Sequence, residues 1–376
     1  MFRLVLAGVI AMIAVPSAGA PPLPPVIPLP PPGPAIVIAH RGASADRPEH
    51  TLAAYALAIE QGADFIEPDL VPTKDHRLVA RHENEISTTT DVSAHPEFAT
   101  RKTSRIVDGE TMTGWFTEDF TLAELRTLRA RERLPQLRPA NTAFDGREVS
   151  PTLEDIIALA KAATLRTGRT IGIYPETKHP SYFRRIGLPI EPVLLKALST
   201  AGWTRVDSPV FIQSFEVDNL KALRPQTQVR LVQLIAEGAS ADGHSYDAMV
   251  TAAGLAGIAT YADGIGPGRD RIIPRSPDGT LGDATRLVAN AHAAGLLVHP
   301  WTFRPENYFL GKAFRNGNVP TARGDAAGEI RLWLEAGVDG VFSDLPAAAV
   351  AALAPATAKY GPPTAGAAGP GPHERD

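Results

Sequence analysis

Residues 35–42, Ala-Ile-Val-Ile-Ala-His-Arg-Gly, decide the fold of this chain. The apolar residues 35–39 are typical of a short strand buried on both faces, and the run ends abruptly in His40, Arg41 and Gly42. In a barrel of parallel strands the active site lies at the C-terminal ends of the strands. A titratable His beside a fixed cation at such an end is a candidate phosphate-binding corner, although a strand-end His that bonds a loop would look the same on its own.

Short apolar runs and helical stretches alternate through the sequence that follows. Further strand candidates lie at 63–70, 78–82, 170–176, 209–214, 229–234, 262–265, 296–302 and 338–343. Helical stretches lie between most of them, for example at 52–59, 191–201, 283–294 and 325–336. This alternation predicts an α/β protein with a parallel sheet, and the length favours closure into a (β/α)8 TIM barrel.

The strand count leaves one ambiguity. There are nine strand candidates for eight places, and residues 70–77 are too few for the crossover that joins parallel strands. Either the strands at 63–70 and 78–82 are joined irregularly, or a later candidate lies outside the barrel. Residues 87–150 have many charges and few apolar runs, so we predict an insertion there, after the third strand, that covers one mouth of the barrel.

Both ends of the chain differ in composition from its body. Residues 1–20 combine Arg3, an apolar run and a small-residue ending at Ala20, which indicates a cleaved signal peptide and a periplasmic or secreted protein. The run is shorter than the roughly 20 residues of a membrane span, so no stable span is expected. Residues 21–34 read as a Pro-rich linker, residues 35–354 as the folded domain and residues 355–376 as a disordered tail.

Composition excludes several kinds of chemistry. The chain has no Cys, which removes disulfides and thiol nucleophiles. Its formal net charge is -4, and this mild acidity argues against a nucleic-acid partner.

Titratable residues collect at the predicted strand ends. Glu67 and Asp69 point to the same side of a strand because side chains alternate, and Glu176 ends another strand. Three carboxylates without Cys describe an oxygen-ligand site for a divalent cation, Ca²⁺ with Mg²⁺ as the alternative, rather than for Zn²⁺. His40 and His82 also lie at strand ends, and such a pair can move protons near neutral pH.

Each of these carboxylates also has a structural interpretation. Glu67 and Asp69 could form a solvated strand end, and Glu176 could be the ion-pair partner of Lys178. Three carboxylates together at strand ends favour the cation site.

Nine sequence blocks together resemble the glycerophosphodiester phosphodiesterase family, in particular its exported bacterial-type members with an insertion after the second catalytic His. In the family's order they are His40-Arg-Gly, Pro-Glu49-His-Thr, Glu67-Pro-Asp69, Thr73-Lys-Asp, the His82 strand, Glu176-Thr-Lys178, Gln213-Ser-Phe215, His299-Pro-Trp301-Thr and residues 337–346. They span residues 36 to 350, which is nearly all of the predicted domain.

The resemblance implies a TIM-barrel enzyme that hydrolyses a small-molecule glycerophosphodiester to sn-glycerol 3-phosphate and an alcohol. It further implies roles for individual residues: His40 and His82 as the general acid/base pair, Glu67, Asp69 and Glu176 as metal ligands, and Arg41 and Lys178 as phosphate-binding cations. Phe215 and Trp301 are candidates for the wall of the alcohol-side pocket, although both could be simple core aromatics. The other eight His residues are interpreted as structural or solvated.

The sequence departs from the family next to the second catalytic His. Glu83 follows His82 where the family usually has Asp, so a group that the Asp orients could be displaced here.

Other functions remain open at this stage. A phospholipase C- or sphingomyelinase D-like enzyme would need an apolar rim for lipid tails, and the hints of one are Phe98, Trp115, Phe116 and Phe120. A binding protein would not need both His and all three carboxylates, and a glycosidase would not need Arg41 and the His pair.

Overall fold

A computed structural model describes residues 34–354. The predicted signal peptide, the linker up to residue 33 and the predicted tail lie outside the described residues. Within the described part, no helix has the length and apolar character required to cross a bilayer.

The described chain is built from short strands alternating with helices, as the sequence predicts. The strands are β1 Ile36–His40, β2 Phe65–Glu67, β3 Asp69–Pro72, β4 Leu78–Ala80, β5 Thr103–Val107, β6 Glu110–Gly114, β7 Gly172–Ile173, β8 Glu176–Thr177, β9 Phe211–Ser214, β10 Arg230–Ile235, β11 Gly264–Pro267, β12 Leu297–Val298 and β13 Gly340–Ser343. The α-helices are α1 Leu52–Glu60, α2 Leu122–Leu125, α3 Leu153–Thr167, α4 Pro180–Arg185, α5 Glu191–Ala201, α6 Val217–Leu223, α7 Tyr246–Met249, α8 Ala252–Ile258, α9 Leu287–Ala293, α10 Ala326–Glu335 and α11 Pro346–Leu353.

Local capping chemistry sets the ends of the helices. Thr152 and Asp155 form a capping box at the start of α3, which satisfies two backbone donors of its first turn. The same helix ends at Gly168, whose positive φ of 72° suits a residue without a side chain.

Parallel pairing closes the described strands into a barrel. β2 and β3 are two halves of one barrel strand interrupted at Pro68, and β7 and β8 are likewise two halves of another. The order around the barrel is β1, β2/β3, β7/β8, β9, β10, β11, β12 and β13, and β13 pairs back onto β1. Between β12 and β13 the Asp339 amide donates to the Val298 carbonyl at 3.0 Å. The predicted (β/α)8 TIM barrel is confirmed.

The ambiguous strand at 78–82 does not belong to the barrel. β4 pairs antiparallel with β3, with Leu70 opposite Ala80, so the two segments form a hairpin that needs only a tight turn. This is the first of the two alternatives that the sequence left open. The insertion thus follows the second strand of the barrel itself, because the sequence-based count had included the hairpin arm.

The segment at 87–150 is mostly irregular. It contains a two-stranded antiparallel sheet of β5 and β6, the short helix α2 and several 3₁₀ turns.

Aromatic side chains fill the inside of the barrel. Tyr174 stacks on Phe211 with 4.9 Å between ring centroids and meets Phe342 edge-on at 5.0 Å. The Tyr174 hydroxyl also hydrogen-bonds His299 Nδ1 at 2.9 Å, which gives the buried hydroxyl a polar partner. This packing supports the strands that carry the candidate site.

We expect Phe342→Ala to lower the free energy of unfolding by about 3–5 kcal/mol, because it removes a fully enclosed ring and leaves a cavity. Phe342 is 2% exposed. Urea unfolding followed by circular dichroism measures the effect. The control is Leu165→Ala, since Leu165 is 88% exposed and its replacement should change stability by no more than about 0.5 kcal/mol. Similar losses in the two variants would contradict this account of the core.

Candidate active site

Strand register brings the predicted site residues to one end of the barrel. His40 lies beside Glu67 across the β1–β2 pair, and Asp69 lies beside Glu176 across the β3–β8 pair. The β3–β4 hairpin returns the chain to the same level, because the Arg81 amide donates to the Asp69 carbonyl at 2.9 Å just before His82. His82 therefore reaches the mouth of the barrel on an antiparallel arm and not on a parallel strand.

The three predicted metal ligands form one buried cluster. Carboxylate oxygens of Glu67, Asp69 and Glu176 all lie within 4.8 Å of one another. Burial and the neighbouring Asp69 charge raise the pKa of Glu67 well above its usual range, and burial raises the pKa of Glu176 to about 8. Such a cluster repels itself unless a cation or protons compensate it.

The cluster fits a divalent cation. All of its ligand atoms are carboxylate oxygens, the donors that Ca²⁺ and Mg²⁺ prefer. Asp69 Oδ1 is buried and has no hydrogen-bond partner among the described residues, so this oxygen is available as a ligand.

A tight turn after β1 places Arg41 against the cluster. Arg41 and Gly42 both have positive φ, 60° and 87°, and a Cβ on Gly42 would lie 2.7 Å from the Ala54 carbonyl carbon. Only glycine fits at this second position. The turn lets the Arg41 amide donate to Glu67 Oε2 at 2.7 Å, while its Nε lies 3.3 Å from Asp69 Oδ2.

Lys178 is the second of the two predicted phosphate-binding side chains. Its Nζ lies 2.9 Å from Glu176 Oε1 and 3.9 Å from Asp69 Oδ1. Burial would lower the pKa of Lys178, but Asp69 and Glu176 outweigh it and raise the pKa. The ammonium group is therefore charged at neutral pH.

Both candidate catalytic histidines have a carboxylate on Nδ1. His40 Nδ1 donates to Asp344 Oδ1 at 2.6 Å, and His82 Nδ1 donates to Glu83 Oε1. Burial and then the charge of Arg41 lower the pKa of His40 to about 4. The same two causes hold the pKa of His82 below its usual range. Each neutral ring thus presents an unprotonated Nε2.

Comparison with known proteins agrees with this geometry. Residues 40–348 match the glycerophosphoryl diester phosphodiesterase family. The chain belongs to this family. A glycerophosphodiester phosphodiesterase of Arabidopsis thaliana is 36% identical over 82% of this chain and 82% of its own length. A glycerophosphodiester phosphodiesterase of Haemophilus influenzae is 32% identical over 83% of this chain and 87% of its own length.

Two solved structures share the fold. An Oleispira antarctica phosphodiesterase in complex with the product sn-glycerol-3-phosphate is similar with a TM-score of 0.56 and 20% identity, over 85% of this chain and 96% of that one. A glycerophosphodiester phosphodiesterase from Agrobacterium tumefaciens gives a TM-score of 0.50 at 18% identity, over 84% of this chain and 98% of that one.

Glu83 stands where the family usually has Asp, and its carboxylate still hydrogen-bonds His82 Nδ1. Arg133 Nη1 donates to Glu83 Oε1 at 3.0 Å and Nη2 donates to Oε2 at 2.7 Å, so both oxygens of the longer side chain are held.

Phe215 and Trp301 lie together at the same end of the barrel. Their rings meet edge-on at 5.7 Å, and Lys178 Nζ lies 5.7 Å from the Phe215 centroid. They are adjacent to a predicted phosphate-binding cation, and their role as a pocket wall stays a prediction.

Several contributors to the site were missed by sequence reasoning. His50, interpreted as structural or solvated, is buried and bonds Asp69 Oδ2 through Nε2 at 3.0 Å, with the Tyr55 hydroxyl on its Nδ1 at 2.8 Å. Gln213 Nε2 donates to Glu67 Oε1 at 3.2 Å. Both residues belong to sequence blocks that carry the family resemblance. The blocks marked these positions, but no role was predicted for either side chain.

Proposed function

We propose that this chain hydrolyses glycerophosphodiesters to sn-glycerol 3-phosphate and an alcohol. The observation that carries the proposal is the pair of histidines, each fixed by a carboxylate, beside a buried carboxylate cluster and the cations Arg41 and Lys178. Relatives over most of the chain named glycerophosphodiester phosphodiesterase support it. The Oleispira structure, whose bound product is sn-glycerol-3-phosphate, supports the nature of the substrate.

The histidines divide the proton transfers in this proposal. His40 Nε2 takes the proton of the attacking oxygen as a new O–P bond forms, and Asp344 stabilises the resulting imidazolium. His82 gives a proton to the leaving alkoxide as the bond between phosphorus and that alkoxide oxygen breaks. His82 must first be protonated, which Glu83 and the anionic phosphodiester both favour. Arg41 and Lys178 face the charge that builds on the phosphoryl oxygens.

Glu67, Asp69 and Glu176 would hold a divalent cation, Ca²⁺ in our proposal with Mg²⁺ as the alternative. When bound, such an ion polarises phosphoryl oxygens and compensates their charge. The carboxylates are positioned for this by His50 and Gln213, which bond Asp69 and Glu67 from outside the cluster.

A lipid head-group activity has less support. The insertion aromatics Phe98, Trp115, Phe116 and Phe120 are all at most 8% exposed, so the hints of an apolar rim are wrong for these residues. Phe98, Trp115 and Phe120 belong to the main hydrophobic core instead.

We expect exhaustive chelation to abolish hydrolysis of glycerophosphocholine and added Ca²⁺ or Mg²⁺ to restore it. Glu67→Gln should weaken cation binding, measured by calorimetry, by more than about 10-fold while the protein stays folded, because it removes an anionic ligand. Glu154→Gln is the control, because Glu154 is half exposed and pairs with Arg77 at 3.4 Å. Full activity after chelation would refute the metal requirement.

His40→Ala and His82→Ala should each lower kcat for glycerophosphocholine by about 10²- to 10⁴-fold. A nitrophenyl diester of glycerol phosphate needs no protonation of its leaving group, so this substrate should largely rescue His82→Ala and leave His40→Ala inactive. His95→Ala, a histidine of the insertion that pairs with Glu97 at 3.0 Å, should behave as wild type. Rescue of His40→Ala instead would exchange the two roles, and rescue of neither would reject the assignment.

We also propose export to the periplasm or medium after cleavage behind Ala20, on the sequence pattern alone. Mass spectrometry of the protein recovered outside the cytoplasm should show Pro21 as the first residue. An intact N-terminus at Met1 in that fraction would contradict cleavage.

A further inference from the structure

Two arginines of the insertion reach the carboxylates that hold the histidines. Both lie on residues 131–141, called here the arginine loop, which forms no strand or α-helix. Arg133 extends to Glu83, the partner of His82, and Arg138 extends to Asp344, the partner of His40. Sequence patterns assigned no role to either arginine.

Arg133 joins two carboxylates at the mouth. Besides both oxygens of Glu83, its Nη2 lies 2.7 Å from Glu49 Oε1. Glu49 in turn accepts a hydrogen bond from Arg41 Nη1 at 3.0 Å. Arg133 thereby fixes the carboxylate behind His82 relative to the turn that carries Arg41.

Arg138 makes the matching contact behind His40. Its Nη2 donates to Asp344 Oδ2 at 2.6 Å and its Nε donates to Glu306 Oε1 at 2.7 Å. Its Nη1 donates to the Ser44 carbonyl at 2.8 Å. All three nitrogens are bonded to protein acceptors, so Arg138 acts on the protein and has no nitrogen reserved for a substrate.

The loop itself is held in place by buried polar contacts. Glu132 accepts from the Leu134 amide at 2.8 Å and from Asn141 Nδ2 at 2.9 Å, which ties its two ends together. Asn141 Nδ2 also lies 3.2 Å from the Ser44 carbonyl, four residues beyond His40 in the chain. The two arginines therefore extend from a restrained support.

We propose that Arg133 and Arg138 are positioning residues that set the orientation of His82 and His40 through Glu83 and Asp344. The insertion would then complete the catalytic machinery. This inference rests on the proposed function. It differs from a role in substrate binding, because each arginine acts through a carboxylate of the protein.

A double-mutant cycle between Arg133 and Glu83 tests the proposal on the full chain with its divalent cation and glycerophosphocholine. Arg133→Met should lower kcat by about 10- to 100-fold and leave KM nearly unchanged. In the Glu83→Gln background the same change should cost little more, because its effect passes through Glu83. Arg133→Lys should recover only part of the loss, since an ammonium group cannot bond both oxygens in a fork.

Arg138→Met should likewise lower kcat, with Arg138→Lys as the second variant if the buried carboxylates left behind prevent folding. The control is Arg126→Met, because Arg126 also belongs to the insertion but is half exposed and pairs with Asp155 at 2.9 Å. It should leave kcat and KM unchanged. If neither Arg138 variant folds, the Arg133 cycle decides the proposal.

Losses that add fully between Arg133→Met and Glu83→Gln, or a loss confined to KM, would overturn the positioning role. Wild-type protein that binds the cation but cleaves no glycerophosphodiester would instead overturn the proposed function. The two failures are therefore distinguishable in one set of assays.

Discussion

Buried charges at the mouth of the barrel compensate one another, and the geometry of the site depends on this compensation. Asp344 lies between His40, Arg138 and Arg304, and Glu49 lies between Arg41 and Arg133. A buried charge without a partner destabilises a protein by several kcal/mol, so each member holds its neighbours in place. The exception is the carboxylate cluster, where Glu67 and Glu176 have raised pKa values and charge of the opposite sign is insufficient. That local deficit supports the cation site proposed for these residues.

The barrel was predictable from the sequence because its cause is local and periodic. Mostly apolar stretches such as 36–40 and 229–234 are typical of buried strands when helices separate them. The strand count was ambiguous for an equally physical reason. Residues 78–80 are as apolar as a barrel strand, and only pairing distinguishes a hairpin arm from a parallel neighbour. The short connection was the available evidence, and it pointed to the irregular joint that the structure has.

Sequence patterns predicted where the strand-end carboxylates lie, but they did not predict the contribution of the irregular loop. Glu67, Asp69 and Glu176 share one end of the barrel because parallel strands in register leave no other arrangement. Arg133 and Arg138 follow no periodic pattern, and their partners are 50 and 206 residues away in sequence. The local sequence of an irregular segment does not indicate which distant residues its side chains contact. Such residues become visible only when the fold brings the two parts together.

The arginine loop restrains the side chain of Glu83, which is longer than the Asp usual in the family. A Glu carboxylate has one more rotatable bond than the Asp that the family usually carries, so it is ordered at a greater cost in side-chain entropy. One hydrogen bond from His82 leaves the second carboxylate oxygen free to swing. Arg133 bonds both oxygens, and its planar fork fixes the plane of the carboxylate as well as its position. The longer side chain is therefore compatible with an oriented histidine only where a second group restrains it, and in this chain that group comes from the insertion.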